Sequence, residues 1–241
     1  MDFLSWFQSS PEKQIERLRK KVKEPHGDSS VRQNAARKLA EMDDQRALRA
    51  LLDRYTITVS PSVEDEQEKE EVFRWIVARG ERSVDPLIDF LRTERMVYWP
   101  ARALKAILPE ERLASEFSSL LRYLWENPPA SAFPKAQIIR ALGDVSSPEL
   151  NETVRLFLED EDDDVCLASV EYLLEQPEEE AREPILNLYA ESEGRPRVRS
   201  QILEYFAEKG WTVKGFRPLV EETLPEGYQL TREGKLRRVG T

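Results

Sequence analysis

One apolar register recurs six times along the chain and constrains its fold more than any other feature. Its first copy, in residues 31–42, has apolar residues at relative positions 0, +4, +5, +8 and +11: Val31, Ala35, Ala36, Leu39 and Met42. These positions fall on one face of a helix. With Leu39 as the marker, the later copies follow at spacings of 37, 28, 38, 31 and 33 residues: Ile76, Leu104, Leu142, Leu173 and Phe206. A helical unit repeated at this interval is typical of an α-solenoid.

The rest of the sequence agrees with a helical chain. It has nine glycines and lacks the alternating apolar and polar runs that predict a β-rich fold. Because each repeat buries its apolar face only against its neighbours, we expect one continuous, right-handed α-solenoid over residues 11–224, with about six helix pairs and a terminal half-repeat. In the tail, residues 225–241, an Arg-Glu-Gly turn predicts a short β-hairpin.

Local signals predict where several elements begin and end. Ser10, followed by Pro11, predicts a helix over 11–23, and Ser30 is expected to cap the first marker helix. In that helix we expect Val31 to face the core and Arg32 to lie outside the apolar face. Residues 56–63 read as extended or β. They lead into the acidic run 64–71, and we expect a loop ahead of a second marker helix at about 66–79, which Gly80 ends.

Composition argues against several kinds of chemistry. The formal charge of −10, from 36 Lys and Arg against 46 Asp and Glu, repels nucleic acid and anionic membranes at long range. The single cysteine, Cys166, lies beside a core position and is expected to be a buried, inert thiol. The single histidine, His26, cannot by itself supply a His-based metal site or catalytic triad. The acidic clusters lack the spacing of a calcium loop, so we expect no metal. The sequence also has no Gly-rich phosphate loop, Ser elbow or Cys-x-x-Cys motif, so we expect no catalytic residues and no cofactor.

The N-terminus combines an apolar segment with a basic one. Four apolar residues within the first seven (Phe3, Leu4, Trp6 and Phe7) precede the basic helix predicted at 11–23. They are expected to cap the open apolar face of the first repeat, or to act as a peg that contacts a partner or, weakly, a membrane surface. The segment lacks the basic opening of a signal peptide, and no apolar run approaches the ~18 residues of a transmembrane helix. We therefore expect a soluble, cytoplasmic monomer.

The repeat pattern resembles a known family. The succession of Val31-Arg32, Ala35-Ala36 and Leu39 is similar to the second helix of HEAT-like repeats, in particular the bacterial group named for phycobilisome lyases. Pieces of it return at 198–199 and 141–144, and the resemblance covers residues 11–224. It implies an armadillo-like superhelix that serves as a scaffold, as a lyase subunit or, in one branch, as a DNA glycosylase. Glu68 and Pro134 replace the small apolar opener in the second and fourth units.

One exposed position of the register suggests a binding surface. Because each residue of a helix advances by about 100°, position +6 lies opposite the apolar face. Along the chain this position carries four arginines followed by two glutamates: Arg37, Arg74, Arg102, Arg140, Glu171 and Glu204. In the family's fold the second helices line the concave side, where helices packed ~8–10 Å apart would place the arginines in one stripe. Tyr98, Trp99 and Lys105 would widen it. The alternative is that these side chains solvate the helices and pair with nearby acids.

These features favour a non-catalytic scaffold that grips a protein partner, such as an acidic segment, on its concave face. One alternative is a lyase-type enzyme subunit, which the repeat group allows but no nucleophile or acid–base pair supports. The other is a HEAT-like DNA-processing protein. The net charge of −10 and the two glutamates of the stripe, Glu171 and Glu204, argue against nucleic acid as a partner.

Overall fold

A computed structural model of the protein describes residues 10–128 and 131–239. Within these ranges the chain forms thirteen α-helices and one two-stranded antiparallel sheet. No helix in them is long and apolar enough to cross a bilayer. The predicted cap or peg formed by Phe3, Leu4, Trp6 and Phe7 lies outside the described residues.

The mostly helical fold with a C-terminal hairpin confirms the coarse prediction. The first seven helices are α1 (Pro11–Val22), α2 (Ser29–Glu41), α3 (Gln45–Leu52), α4 (Ser62–Ala78), α5 (Val84–Thr93), α6 (Tyr98–Ile107) and α7 (Glu110–Glu126). The next six are α8 (Phe133–Leu142), α9 (Pro148–Leu156), α10 (Asp163–Leu173), α11 (Glu178–Glu191), α12 (Pro196–Lys209) and α13 (Arg217–Thr223). Strands β1 (Tyr228–Leu230) and β2 (Leu236–Arg238) pair with Leu230 opposite Leu236.

The chain divides into two compact units, the first ending at Glu116 and the second beginning at Phe117. In the first unit α2 packs on α4 and α4 on α6, while α1 packs on α3 and α3 on α5. In the second unit α8 packs on α10 and α10 on α12. All six marker residues are at most 1% exposed, so the register was correctly centred on the core: Leu39, Ile76, Leu104, Leu142, Leu173 and Phe206.

The opening of the first marker helix was predicted wrongly. Val31 is 45% exposed, whereas Arg32 is only 2% exposed. The guanidinium of Arg32 turns inward because it bonds to Glu68 of α4, a partner that local periodicity does not reveal. The cap is also different: Asp28, rather than Ser30, is the N-cap, and its carboxylate accepts the backbone N–H of Ser30.

The segment 56–63, predicted as extended or β, forms no strand in the described structure, and the predicted loop ahead of α4 is the irregular stretch 57–60. Residues 53–56 form a 3-10 turn, and the extended backbone that follows at Ile57 pairs with no strand. The second marker helix, predicted at about 66–79, is α4, which begins four residues earlier at Ser62 and so contains the whole acidic run 64–71. Acids in a first helical turn are favoured by the helix dipole, and buried cations hold two of the acids inside the unit.

Candidate functional site

A cleft of about 410 Å³ opens along α4 and α6 in the first unit. The α4 side contributes four residues, of which Glu66, Glu70 and Arg74 are four apart and share one helical face with the adjacent Gln67. The α6 side contributes three residues of its first two turns. Its lining residues are Glu66, Gln67, Glu70, Arg74, Tyr98, Trp99 and Arg102. Four residues of the predicted stripe, Arg74, Tyr98, Trp99 and Arg102, thus come together in one place.

An aromatic cluster supports the α6 side of the cleft. Trp99 is only 8% exposed and stacks on Tyr55, with ring centroids 6.3 Å apart and an interplanar angle of 6°. Phe73 meets the same indole edge-on at 5.9 Å, and Tyr98 does so at 5.7 Å. Tyr98 itself is 58% exposed. Trp99 is therefore mainly a packed support, and Tyr98 is the aromatic side chain that a ligand can reach.

Arg102 is held in place by the same cluster. Its Cζ lies 4.9 Å from the ring centroid of Phe73 and 5.0 Å from that of Trp99, within the range of cation–π attraction. Its Nη1 lies 3.5 Å from Oε2 of Glu70, at the outer limit of a hydrogen bond. A guanidinium carries five N–H donors, so Arg102 is oriented while donors remain for a ligand.

Arg74 is not anchored as Arg102 is. Its side chain is exposed, and within the described ranges it makes neither an ion pair nor a hydrogen bond. It lies one turn beyond Glu70 on α4 and lines the same cleft as Arg102 and Tyr98. A planar guanidinium is well suited to bind a carboxylate through two parallel hydrogen bonds. In the described part of the chain, the cleft therefore offers one free cation, one oriented cation and one exposed aromatic ring.

The remaining stripe residues lie elsewhere. Arg37 is exposed on α2, with its Nη2 3.4 Å from Oδ1 of Asn34, and Lys105 is half-buried on α6. In the second unit, Nε of Arg140 donates to Oε2 of Glu171 at 3.0 Å. Oε1 of Glu171 accepts the hydroxyl of Tyr205 at 2.9 Å.

Burial, together with this hydrogen bond to Glu171, raises the pKa of Tyr205 to about 12. Glu204, the last residue of position +6, pairs with Arg238 of β2. The chain from Arg140 through Glu171 to Tyr205 thus links α8, α10 and α12. In the second unit the charges of the predicted stripe thus follow the alternative interpretation: Arg140 pairs with Glu171 of the next marker helix, and Glu204 pairs with Arg238.

A buried ionic network in the first unit was missed by the sequence prediction. Glu68 accepts Nε of Arg32 and Nε of Arg54, both at 2.7 Å, and Asp65 accepts Nη2 of Arg54 at 2.7 Å and Nζ of Lys69 at 2.6 Å. All five side chains are at most 6% exposed. The network ties α4, one wall of the cleft, to α2 and to the 3-10 turn.

A recurring cation could have revealed this network. Position +1 is basic in four of the six copies of the apolar register: Arg32, Lys69, Lys135 and Arg199. Lys135 is also buried and pairs with Asp160, and Arg199 donates to the carbonyl oxygens of Tyr189 and Ala190. A basic residue at position +1 is therefore buried or half-buried in these four copies of the register, and at 100° per residue this position falls within the apolar face, between positions +8 and +5.

The network keeps its carboxylates ionised. Burial by itself would raise the pKa of Glu68, but the hydrogen bonds from Arg32, Arg54 and Ser29 outweigh burial and lower it below the usual value. Burial acts in the same direction on Asp65, and the bonds from Lys69, Arg54 and the Val59 amide lower its pKa. Because Glu68 and Asp65 stay ionised, they keep their ion pairs with Arg32, Arg54 and Lys69 and so hold α4 in place.

Cys166 is fully buried, as predicted. Its Sγ lies 2.9 Å from the carbonyl oxygen of Asp160 and 3.2 Å from that of Leu158, and Arg195 approaches it at 3.2 Å. Burial raises the pKa of the Cys166 thiol, although the nearby Arg195 acts to lower it. The raised pKa disfavours the reactive thiolate form. Across residues 10–128 and 131–239, no group of three or more His, Cys, Asp or Glu side chains is placed to hold a metal ion.

Comparison of the chain with protein-family models, curated proteins and solved structures gives no match. Any functional assignment must therefore come from the site itself. In the cleft along α4 and α6, two exposed arginines and an exposed tyrosine line one opening together.

Proposed function

We propose that the protein is a non-catalytic scaffold of HEAT-like helical repeats that binds an acidic segment of a partner protein in the cleft along α4 and α6. One observation carries this proposal. Arg74, which has no partner among the described residues, is exposed beside Arg102, which aromatic rings orient, and both line the same cleft as the exposed Tyr98. The repeat fold is supported by the buried marker residues and by the consecutive packing of their helices within each unit.

The chemistry of the cleft favours a carboxylate as the group it binds. A side-chain carboxylate between Arg74 and Arg102 would receive charge-assisted hydrogen bonds, which are stronger than those between neutral groups. The ring of Tyr98 would cover apolar atoms beside that carboxylate, and Tyr and Arg are the residue types that dominate binding energies at interfaces. Because Phe73 and Trp99 already orient Arg102, little conformational entropy is lost when it binds.

The acids of the cleft restrict what can bind. Glu66 and Glu70 lie on the α4 wall, so a polyanion such as nucleic acid would meet two carboxylates along with the two arginines. A polypeptide segment with one acidic residue, flanked by apolar or basic residues, avoids this repulsion. Electrostatic complementarity of this kind selects among partners more than it raises affinity.

Peptide display tests the proposal directly, because the selected sequences show which chemistry the protein binds. Peptides selected on the full chain should be enriched in one Asp or Glu next to an apolar residue. Arg74→Glu and Tyr98→Ala should each weaken their binding, measured by fluorescence anisotropy, by about 30-fold, which corresponds to the ~2 kcal/mol of an interface hot spot. Arg17→Glu, an equal charge change at an exposed position of α1, should leave the affinity unchanged.

Two further variants define how far the surface extends. Arg140→Glu should have little effect, because this guanidinium is already bound to Glu171 of the next marker helix. Arg37→Glu tests whether the stripe reaches α2. Selected peptides without acidic residues, or equal losses in the Arg74→Glu and Arg17→Glu variants, would show that the cleft is not the binding site.

A further inference from the structure

Helix α1 carries an exposed face made only of cations. Lys13, Arg17, Lys20 and Lys21 follow one another at helical spacings of four, three and one residues, which places them on one side of the helix. The buried residues Ile15, Leu18 and Val22 lie on the opposite side and pack into the first unit. From Lys13 to Lys21 the cationic face extends for about 12 Å along the helix axis.

Internal pairing does not account for these four cations. The other two basic residues near this helix, Arg19 and Lys23, both pair with Asp53. The acids of α1 are engaged as well, since Glu12 pairs with Arg46 and Glu16 lies 4.0 Å from Arg19. For Lys13, Arg17, Lys20 and Lys21 the described structure contains no ion pair and no side-chain hydrogen bond.

Helix stability accounts for only part of this face. Cations near a helix C-terminus interact favourably with the helix dipole, which explains Lys20 and Lys21. The same dipole disfavours Lys13, which lies in the first turn, and does nothing for Arg17 in the middle. Helix stability therefore leaves Lys13 and Arg17 unexplained, and binding of an external ligand by this face would explain them.

We propose that this face of α1 docks the protein on an anionic phospholipid surface. Basic side chains near such a surface each strengthen membrane partitioning on the order of fivefold. The face is the outer side of a single helix, suited to a flat array of negative charges. The first unit has 21 Lys and Arg against 22 Asp and Glu, so the excess of acid belongs to the second unit, with 15 against 24.

The sequence ahead of α1 favours a membrane over a nucleic acid. Stable attachment to a bilayer generally requires two signals, such as a basic patch and an apolar insertion. Phe3, Leu4, Trp6 and Phe7 precede Lys13 within ten residues, and aromatic side chains favour the membrane interface. A nucleic acid would need the basic face alone. This docking surface is separate from the cleft and does not depend on the proposed peptide binding.

Vesicle co-sedimentation with the full chain tests the docking surface. The protein should bind vesicles of phosphatidylcholine mixed with phosphatidylserine, bind them less at higher salt, and leave phosphatidylcholine vesicles unbound. Lys13→Glu combined with Arg17→Glu should lower the partition coefficient at least about 25-fold. Lys214→Glu combined with Arg232→Glu makes the same charge change at exposed positions of the second unit and should have little effect.

The folded state of the test variant is protected by the same physics. Lys13→Glu places an acid in a first helical turn, which the helix dipole favours, and this offsets the repulsion between the two new glutamates four residues apart. The circular dichroism spectrum and thermal melting of the double variant should match those of the wild type, which separates a loss of binding from a melted α1. Failure of the wild-type protein to bind anionic vesicles at low salt would overturn the proposal. So would equal losses in the test and control variants. Binding of a nucleic acid, but not of vesicles, that the Lys13 and Arg17 changes abolish would assign the face to nucleic acid instead.

Discussion

At the scale of single residues, Glu68 shows how a charge is accommodated in the interior of this protein. Its two oxygens accept hydrogen bonds from Arg32, Arg54 and Ser29, and every donor comes from outside α4. Removing a charged group from water is costly, so a buried ion pair stabilises little in total. The loss of one partner is much worse, because it leaves the remaining charges buried and unpaired.

Replacing Glu68 should therefore destabilise the first unit severely. Glu68→Gln leaves the guanidinium groups of Arg32 and Arg54 without their shared carboxylate, and the free energy of unfolding should fall by about 3–5 kcal/mol. Glu66→Gln removes an exposed charge two residues earlier on α4 and should change it by less than ~0.5 kcal/mol. Urea denaturation followed by circular dichroism compares the two variants, and equal effects would contradict the structural role of the network.

This loss should also depend on pH in a defined direction. The pKa of Glu68 is lowered in the folded protein, so the unfolded chain binds more protons as the pH falls through the carboxyl range. The stabilising contribution is complete above the ordinary carboxyl pKa of about 4 and is lost below it. The difference between wild type and Glu68→Gln should accordingly be constant near neutral pH and shrink in acid. If the stability difference between wild type and Glu68→Gln grew as the pH fell, the pKa of Glu68 would be raised in the folded protein rather than lowered.

At the scale of helices, the signals that could be read correctly were local ones. Ser10 caps α1 as expected, because the backbone N–H that it satisfies lies three residues away, at Lys13. The start of α4 was missed because the partners of Asp65 and Glu68 are distant in sequence: Arg54 precedes Asp65 by 11 residues, and Arg32 precedes Glu68 by 36. A run of acids looks solvated when such partners are unknown.

The glycine after α12 provides a test of a local signal. Gly210 has a φ of +67°, in the left-handed region, and its N–H bonds to the carbonyl oxygen of Phe206. Gly210→Ala should therefore lower stability by about 1 kcal/mol through backbone strain. Gly194→Ala is the matched control, since Gly194 has no positive φ and nothing within 4 Å of an added Cβ. Thermal melting should rank Gly210→Ala clearly below both the wild type and the control.

The candidate site was predictable to a similar extent. Helical period predicted that Arg74 and Arg102 are exposed, the resemblance to HEAT-like repeats implied that they lie side by side near Tyr98, and all three line the cleft. The helical period could not show that Arg140 forms an ion pair with Glu171. That pair joins two different helices, and the sequence does not specify which of their residues face each other. Exposure could be predicted from one helix, whereas availability to a ligand depends on its neighbours.

At the scale of the whole molecule, each compact unit has its own buried marker residues. Leu39, Ile76 and Leu104 are buried in the first unit, and Leu142, Leu173 and Phe206 in the second. The excess negative charge is also divided unequally, since 24 acids face 15 bases in the second unit. Units with separate cores can open separately, because local unfolding follows contiguous packed regions.

A charge placed in one core should reveal whether the two units unfold together. Leu104 is fully buried in α6, and Leu104→Asp introduces a carboxylate with no partner there, a change of the kind that costs more than ~4 kcal/mol. Hydrogen exchange should then show lost protection in α2, α4 and α6, while α8, α10 and α12 keep theirs. Ala106→Asp, two residues further along α6 at an exposed position, should leave protection unchanged throughout. Loss of protection in both sets of helices would mean that the chain unfolds as one cooperative structure, and wild-type behaviour would mean that Leu104 is not a core residue.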